Sequence, residues 1–211
     1  MEYLYCTLIG YLIGCFNPSY LLGRIKGVDI KKKGSGNAGA SNALILFGKI
    51  TGIVCALLDI FKAYLAIKLT AVLFAEFALS FVITGSACIL GHIFPFYMKF
   101  RGGKGLACLG GMVLAFDWRV FVVLLISELI MVLIVDYICF VPMSASPVFA
   151  VIYGIMTKDI IGTVILLLIS LVIIFKHIEN LRRIKKGTEA RFSFLWNKDE
   201  KARLEKNVSK E

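Results

Sequence analysis

Apolar residues along the chain fall in blocks of roughly 12 to 22, separated by short charged or glycine-rich stretches, and a block of about 20 is what a helix needs to cross bilayer hydrocarbon. The blocks lie at about 3–23, 50–67, 72–91, 105–116, 120–136, 141–157 and 160–175. None shows the period-two alternation of a barrel strand, and only helices or closed barrels satisfy the backbone in lipid. The pattern therefore predicts an all-α integral membrane protein with about seven transmembrane helices. Two blocks are irregular. Leu106 to Phe116 is short, and the sixth block carries Pro142 and Pro147, so either suits a broken or re-entrant segment packed against protein. The first block has no basic stretch ahead of it and exceeds the apolar core of a signal peptide, so it is expected to stay as a helix.

Composition agrees with the pattern. Of the 211 residues 59% are hydrophobic, and mean hydropathy is +0.84, too apolar for a surface that must meet water. Lysine and arginine set the orientation. With the N-terminus outside, the inner connections hold Arg24, Lys26, Lys31, Lys32, Lys33, Lys49, Lys99, Arg101 and Lys104, and the tail from Lys176 onward adds eleven more. The outer turns hold Lys68, Arg119 and Lys158. This asymmetry satisfies the positive-inside rule with a cytoplasmic C-terminus and an odd number of crossings. Residues 1–176 then form one polytopic membrane domain, and residues 177–211 a basic cytoplasmic tail. The net charge of +10 needs no nucleic acid, because a tail lying against anionic lipid headgroups accounts for it. The six cysteines are scattered along the apolar regions with no CxxC pair and read as packing residues in a reducing setting. With two histidines and no Cys/His cluster, neither a metal site nor a cofactor is expected.

Three inner stretches carry candidate chemistry. KKKGSGNAGASN, residues 31–42, sets glycines that allow converging backbone N–H groups beside hydroxyl, amide and lysine donors, a composition suited to an anion and equally to a flexible polar turn. Gly34, Gly36 and Gly39 match GxGxxG, but a loop between membrane spans lacks the strand and helix of a dinucleotide fold. GHIFPFYMKFRGGKG, residues 91–105, places a Gly102–Gly103 turn between Arg101 and Lys104 at the start of an apolar helix, where phosphate fits. No Walker A spacing is present, which argues against nucleotide hydrolysis. The aromatic residues of this stretch suit an interfacial belt. In KHIENLRRIKKGTE, residues 176–189, a continuing helix would put His177, Asn180 and Ile184 on one face at the membrane surface. Within the spans, Asp59 and Lys62 are spaced to pair, while Glu76 and Glu128 are isolated acids without an assigned role.

Taken together and in register, the three stretches resemble the signature motifs of the bacterial acyl-phosphate glycerol-3-phosphate acyltransferases. The resemblance runs nearly end to end, including GYLIG near the start and LLDIFK around Asp59 and Lys62. It implies a seven-helix enzyme of the bacterial cytoplasmic membrane, its active site facing the cytoplasm. Such an enzyme moves a fatty acyl group from acyl phosphate to the sn-1 hydroxyl of glycerol 3-phosphate, and an upstream enzyme forming acyl phosphate would be its partner. It implies catalytic roles for Ser35, Lys104, His177 and Asn180, and phosphate or substrate binding by Gly34, Gly36, Asn37, Ser41, Asn42, Gly102 and Gly103. An acyl phosphate is already activated, so positioning and charge stabilisation are expected to supply most of the rate, with Lys104 and the Gly102 and Gly103 amides holding phosphate.

Four positions depart from the family pattern. Ile45 stands where the family has arginine, Ser41 where threonine is usual, Cys108 at a threonine-like position, and Pro142 where a serine is common, with Ser144 and Ser146 near enough to replace that donor. These mark a divergent member. Two other readings stay open on sequence alone: an organic-anion transporter, although no second half repeats the first glycine loop, and a non-catalytic scaffold descended from the enzyme.

Overall fold

The computed structural model describes residues 1–208, with side chains through Leu204. Its helices are α1 Glu2–Cys15, α2 Pro18–Ile25, α3 Ala40–Phe47, α4 Lys49–Leu73, α5 Ser80–Ile93, α6 Leu106–Phe116, α7 Trp118–Val135, α8 Phe140–Thr157, α9 Ile160–Lys185 and α10 Lys198–Val208. Among the described residues six segments are long and apolar enough to cross a membrane, and α6 is a shorter apolar helix. Its eleven residues rise about 16 Å, roughly half the hydrocarbon thickness.

Where the helices meet, small residues let backbones approach, as is usual when lipid offers no hydrophobic drive. Gly10 and Gly14 of α1 lie on the backbone of α5 at Thr84 and Cys88, and Gly111 of α6 lies on the Ile60 carbonyl of α4. The core around them gathers Ile89, Met112, Phe149 and Ile173. α7 lies at the edge of the bundle, with Val123, Leu129 and Ile134 exposed as lipid-facing residues are. One end of the bundle is aromatic. Tyr3 meets Phe77, Tyr5 stacks on Phe74, and Phe81 packs against Phe116 and Tyr153. At that end Lys68 Nζ donates to the Ala115 carbonyl at 3.0 Å, placing a cation on the C-terminus of α6. The opposite end carries all three motif stretches.

Several sequence expectations change here. The first apolar block is two helices, because Asn17 caps α2 by accepting from Tyr20 N at 2.8 Å and Pro18 occupies its first turn. The Asn17 amide also donates to the Ala38 carbonyl, pinning that break to the first motif loop. The last three residues of that loop, from Ala40, are the first turn of α3. The sixth block is an unbroken helix: Pro142 lies in the first turn of α8, where its missing N–H costs little, and Pro147 is carried inside it. Ser144 and Ser146 do not replace a donor at Pro142. Ser144 is bonded to Glu128 and Ser146 to the Pro142 carbonyl.

The tail after α9 is ordered across the motif face. Phe192 N donates to the Asp136 carbonyl, Ser193 N to Asp136 Oδ1 at 2.7 Å, and Ser193 Oγ to Asp136 Oδ2 at 2.8 Å. On the other wall Lys49 Nζ donates to the Leu195 carbonyl at 2.5 Å. Residues 188–195 thus form a strap between the α7–α8 junction and the start of α4.

Candidate functional site

Beneath the strap lies a cavity of about 580 Å³. Of the residues singled out from sequence, Gly34, Ser35, Asn37, Ser41, Lys104, His177 and Asn180 line it, so all three motif stretches reach one space. Gly36, Asn42, Gly102 and Gly103 stand behind the wall and hold its shape.

The first loop is organised by Asn42, which is fully buried. Its side-chain oxygen accepts from Ser35 N at 2.9 Å, and its amide donates to the carbonyls of Ile30 and Lys33. Gly34 and Gly36 have φ of 63° and 67°, the left-handed region that a side chain disfavours. Lys31 does not reach the cavity; its ammonium donates to the Met98 carbonyl and sits over the Tyr20 ring, tying the first loop to the second.

The second loop departs from expectation. Gly102 N donates to the Ile93 carbonyl and Gly103 N to the His92 carbonyl, both at 3.0 Å, so neither amide is free for an anion. Gly103 is required instead by the His92 imidazole, which fills the space a Cβ would take. The amides available to an anion belong to the first turns of α6 at Leu106 and Ala107 and of α3 at Ala40 and Ser41. All four residues line the cavity, and first-turn amides have no acceptor within their own helix.

Lys104 reaches across to Asn180 and donates to its side-chain oxygen. Burial, then the positive charge of Arg183, push the Lys104 ammonium down to about 8, with Glu189 and Glu179 opposing. The Asn180 amide donates to Glu189 Oε1 at 2.6 Å, and Glu189 Oε2 accepts from Arg183 Nε at 2.7 Å. His177 is buried one turn before Asn180. Its Nδ1 lies 2.8 Å from the Ile173 carbonyl, and because a carbonyl only accepts, Nδ1 carries the proton and Nε2 remains an acceptor.

Sequence reasoning missed His92, Arg183, Thr188 and Glu189 on this wall, and singled out Asp59 as a partner for Lys62 without placing it in the site. The face drawn through 177, 180 and 184 selected Ile184, whereas α9 presents Arg183, three residues after Asn180, to the cavity. Asp59 and His92 join Lys62 in a buried cluster. Lys62 Nζ lies 2.6 Å from Asp59 Oδ1, 3.0 Å from His92 Nδ1 and 2.5 Å from the Phe16 carbonyl. Asp59, His92 and Cys108 bring ligand atoms within 4.8 Å of one another, but the Lys62 ammonium already lies against the first two. Toward the apolar end, Leu106, Gly110, Phe121, Leu125 and Val141 are shared with a groove between α6, α7 and α8. The polar cavity therefore continues into apolar space.

These features define a polytopic helical membrane protein that joins a cation-lined cavity at one end of the bundle to an apolar groove. Comparison with known proteins narrows the class. Residues 4–187 match the family model described as glycerol-3-phosphate acyltransferase. The chain is 36% identical to glycerol-3-phosphate acyltransferase 1 of Oceanobacillus iheyensis over 94% of this chain and 99% of that one. It is 37% identical to the glycerol-3-phosphate acyltransferase of Thermosipho melanesiensis over 90% and 92%. Among solved structures it resembles the glycerol 3-phosphate form of PlsY (YgiH), an integral membrane glycerol 3-phosphate acyltransferase, with a TM-score of 0.84 and 28% identity over 92% of this chain and 98% of that one. The lysophosphatidic acid form of the same protein gives 0.81. The chain belongs to the glycerol-3-phosphate acyltransferase family.

Proposed function

We propose that the chain transfers a fatty acyl group from acyl phosphate to the sn-1 hydroxyl of glycerol 3-phosphate. The products are lysophosphatidic acid and inorganic phosphate, formed early in phospholipid synthesis. The observation that carries this reading is Lys104, a half-buried ammonium bonded to a neutral acceptor at the point where two helix N-termini and an apolar groove meet. A neutral partner orients the charge without cancelling it, which leaves it for an anion. Acyl phosphate fits this place from end to end, with phosphate on Lys104 and the first-turn amides of α6, and the acyl chain along the groove.

The glycerol hydroxyl attacks the acyl carbonyl carbon, forming a C–O ester bond as the C–O bond to phosphate breaks. Phosphate leaves with the electron pair, and the hydroxyl proton passes to a phosphate oxygen, directly or through His177 Nε2. No protein nucleophile is needed, because the anhydride is already activated. Ser35, Asn37 and Asn180 orient substrate. Gly34, Gly36, Ser41 and Asn42 shape the first loop, and Gly102 and Gly103 shape the second by backbone closure rather than by donating to phosphate.

In this reading the chain crosses the bacterial cytoplasmic membrane seven times, α6 included, with the N-terminus outside and the motif face in the cytoplasm. Residues 1–176 are the membrane domain, and 177–211 the tail whose first part closes the site. An enzyme that makes acyl phosphate supplies the donor. The donor is tested by offering the protein, reconstituted in phospholipid vesicles, palmitoyl phosphate or palmitoyl-CoA with glycerol 3-phosphate. Product from the phosphate alone is expected; product from the thioester alone would refute the donor.

A further inference from the structure

The tail brings two apolar side chains to the cavity that holds the polar motif residues. Phe194 and Leu204 line it together with Ser35, Lys104 and Glu189, and both follow the third motif stretch in sequence. Asp136 accepts from Phe192 N, Ser193 N and Ser193 Oγ, and Lys49 donates to the Leu195 carbonyl, so the residues on either side of Phe194 are held to opposite walls. Beyond the strap α10 folds back, and Arg203 Nη2 donates to the Gly187 carbonyl at 2.8 Å, which seats Leu204. The cover is felt at Cys139, just before α8, which lines the cavity yet is only 4% exposed. Burial, then the Glu189 carboxylate, push its thiol up to about 11.

Neither Phe194 nor Leu204 can hold a phosphate, and the chemistry of the donor gives them another task. An acyl phosphate is an activated anhydride, open to attack by any hydroxyl. Water can attack the same carbonyl carbon. A C–O bond then forms as the C–O bond to phosphate breaks, phosphate leaves with the electron pair, and the water proton passes to a phosphate oxygen, giving fatty acid and inorganic phosphate. A transferase must therefore keep water from the carbonyl while its substrates fill the site. We propose that Phe194 and Leu204 set acceptor specificity: they form an apolar roof that excludes water from the bound acyl phosphate, so that the acyl group passes to the glycerol hydroxyl. Asp136 is a positioning residue, latching the strap that carries Phe194 to the end of α7. This assignment rests on the acyltransferase reading, so it is tested by access to the cavity as well as by turnover.

The experiment counts inorganic phosphate and lysophosphatidic acid from the purified full-length protein in detergent, given palmitoyl phosphate and glycerol 3-phosphate. A second arm, without substrates, follows labelling of Cys139 by a water-soluble maleimide, read by peptide mass spectrometry because the other five cysteines are also free and buried. Wild type should release about one phosphate per lysophosphatidic acid and label slowly, as a site closed to water does. Phe194→Ala and Asp136→Ala should each raise that ratio roughly 3-fold or more and label Cys139 roughly 10-fold faster, because both admit water. Phe194→Leu, which keeps an apolar roof, should stay near wild type in both readouts. A merely structural role would lower both products together, and a ratio unchanged in Phe194→Ala and Asp136→Ala overturns the assignment. Should Asp136→Ala fail to fold, Phe194→Ala carries the same test alone. If wild type yields neither product, the acyltransferase reading fails; faster Cys139 labelling in Phe194→Ala then still upholds the roof, and labelling as slow as in wild type overturns it as well.

Discussion

The ammonium of Lys104 and the side-chain oxygen of Asn180, 76 residues apart in sequence, meet in a hydrogen bond on the cavity wall. The relay continues from Asn180 to Glu189 and from Glu189 to Arg183, so the second loop, α9 and the strap are coupled through one chain of polar contacts. Each member limits the freedom of the next, and the cations are aimed before any substrate arrives. Preorganised charge of this kind is what stabilises a developing phosphate leaving group.

Lys104 gives the reaction a pH limb with a definite sign. Its ammonium is pushed down to about 8, so the free protein loses that charge as pH rises through 8, whereas a bound phosphate requires it. The kcat/KM for acyl phosphate should be level near neutrality and fall about tenfold per unit above pH 8. Arginine stays charged throughout, so Lys104→Arg should abolish this limb even if its absolute rate is lower. A limb unchanged in that variant would remove Lys104 from the titration.

Gly103→Ala should act through packing rather than through a lost anion contact. Its amide is already bonded to the His92 carbonyl, and a methyl group would enter the space of the His92 ring. A loss of about 1–3 kcal/mol in stability is expected. Thermal unfolding in detergent reads it, and a variant as stable as wild type would show that the loop yields.

Asp59→Ala leaves Lys62 buried with one carbonyl and an imidazole for company. Breaking a buried pair from one side costs about 3–5 kcal/mol, so this variant should accumulate poorly and unfold early. Replacing both partners, as in Asp59→Ala with Lys62→Met, removes the orphaned charge and should recover part of the loss. A double variant no better than the single one would mean that the cluster, rather than the pair, supports the fold.

Asn42→Ala removes three hydrogen bonds from the first loop without touching the cavity surface. Leaving the Ile30 and Lys33 carbonyls and the Ser35 amide unmade should cost on the order of 1–3 kcal/mol and free the loop. Faster protease cleavage within residues 31–39, together with reduced turnover, is the expected pair of results.

The sequence made the helical membrane class legible because apolar block length is a strong signal, and its motifs indicated which loops meet. What it did not show depends on tertiary contacts. Asn17 and Pro18 sit inside an apolar run, so the break between α1 and α2 is set by a cap and by a bond to Ala38 that only folding supplies. The strap could not be read from residues 188–195, because what orders it is Asp136, far away in sequence. Ideal helical spacing groups Ile184 with His177 and Asn180 but says nothing about which neighbouring face looks into a cavity, and that face carries Arg183. The Gly102–Gly103 turn looked like an anion nest, yet its amides close onto the carbonyls of the preceding helix end.

The most direct measurement is of product by the purified wild-type protein given palmitoyl phosphate and glycerol 3-phosphate, with inorganic phosphate and lysophosphatidic acid counted together. One phosphate released per lysophosphatidic acid formed, falling on the order of 100-fold or more in Lys104→Ala, is the result expected of a charge anchored at this site. Absence of both products from well-folded wild-type protein, or turnover undiminished in Lys104→Ala, would contradict it.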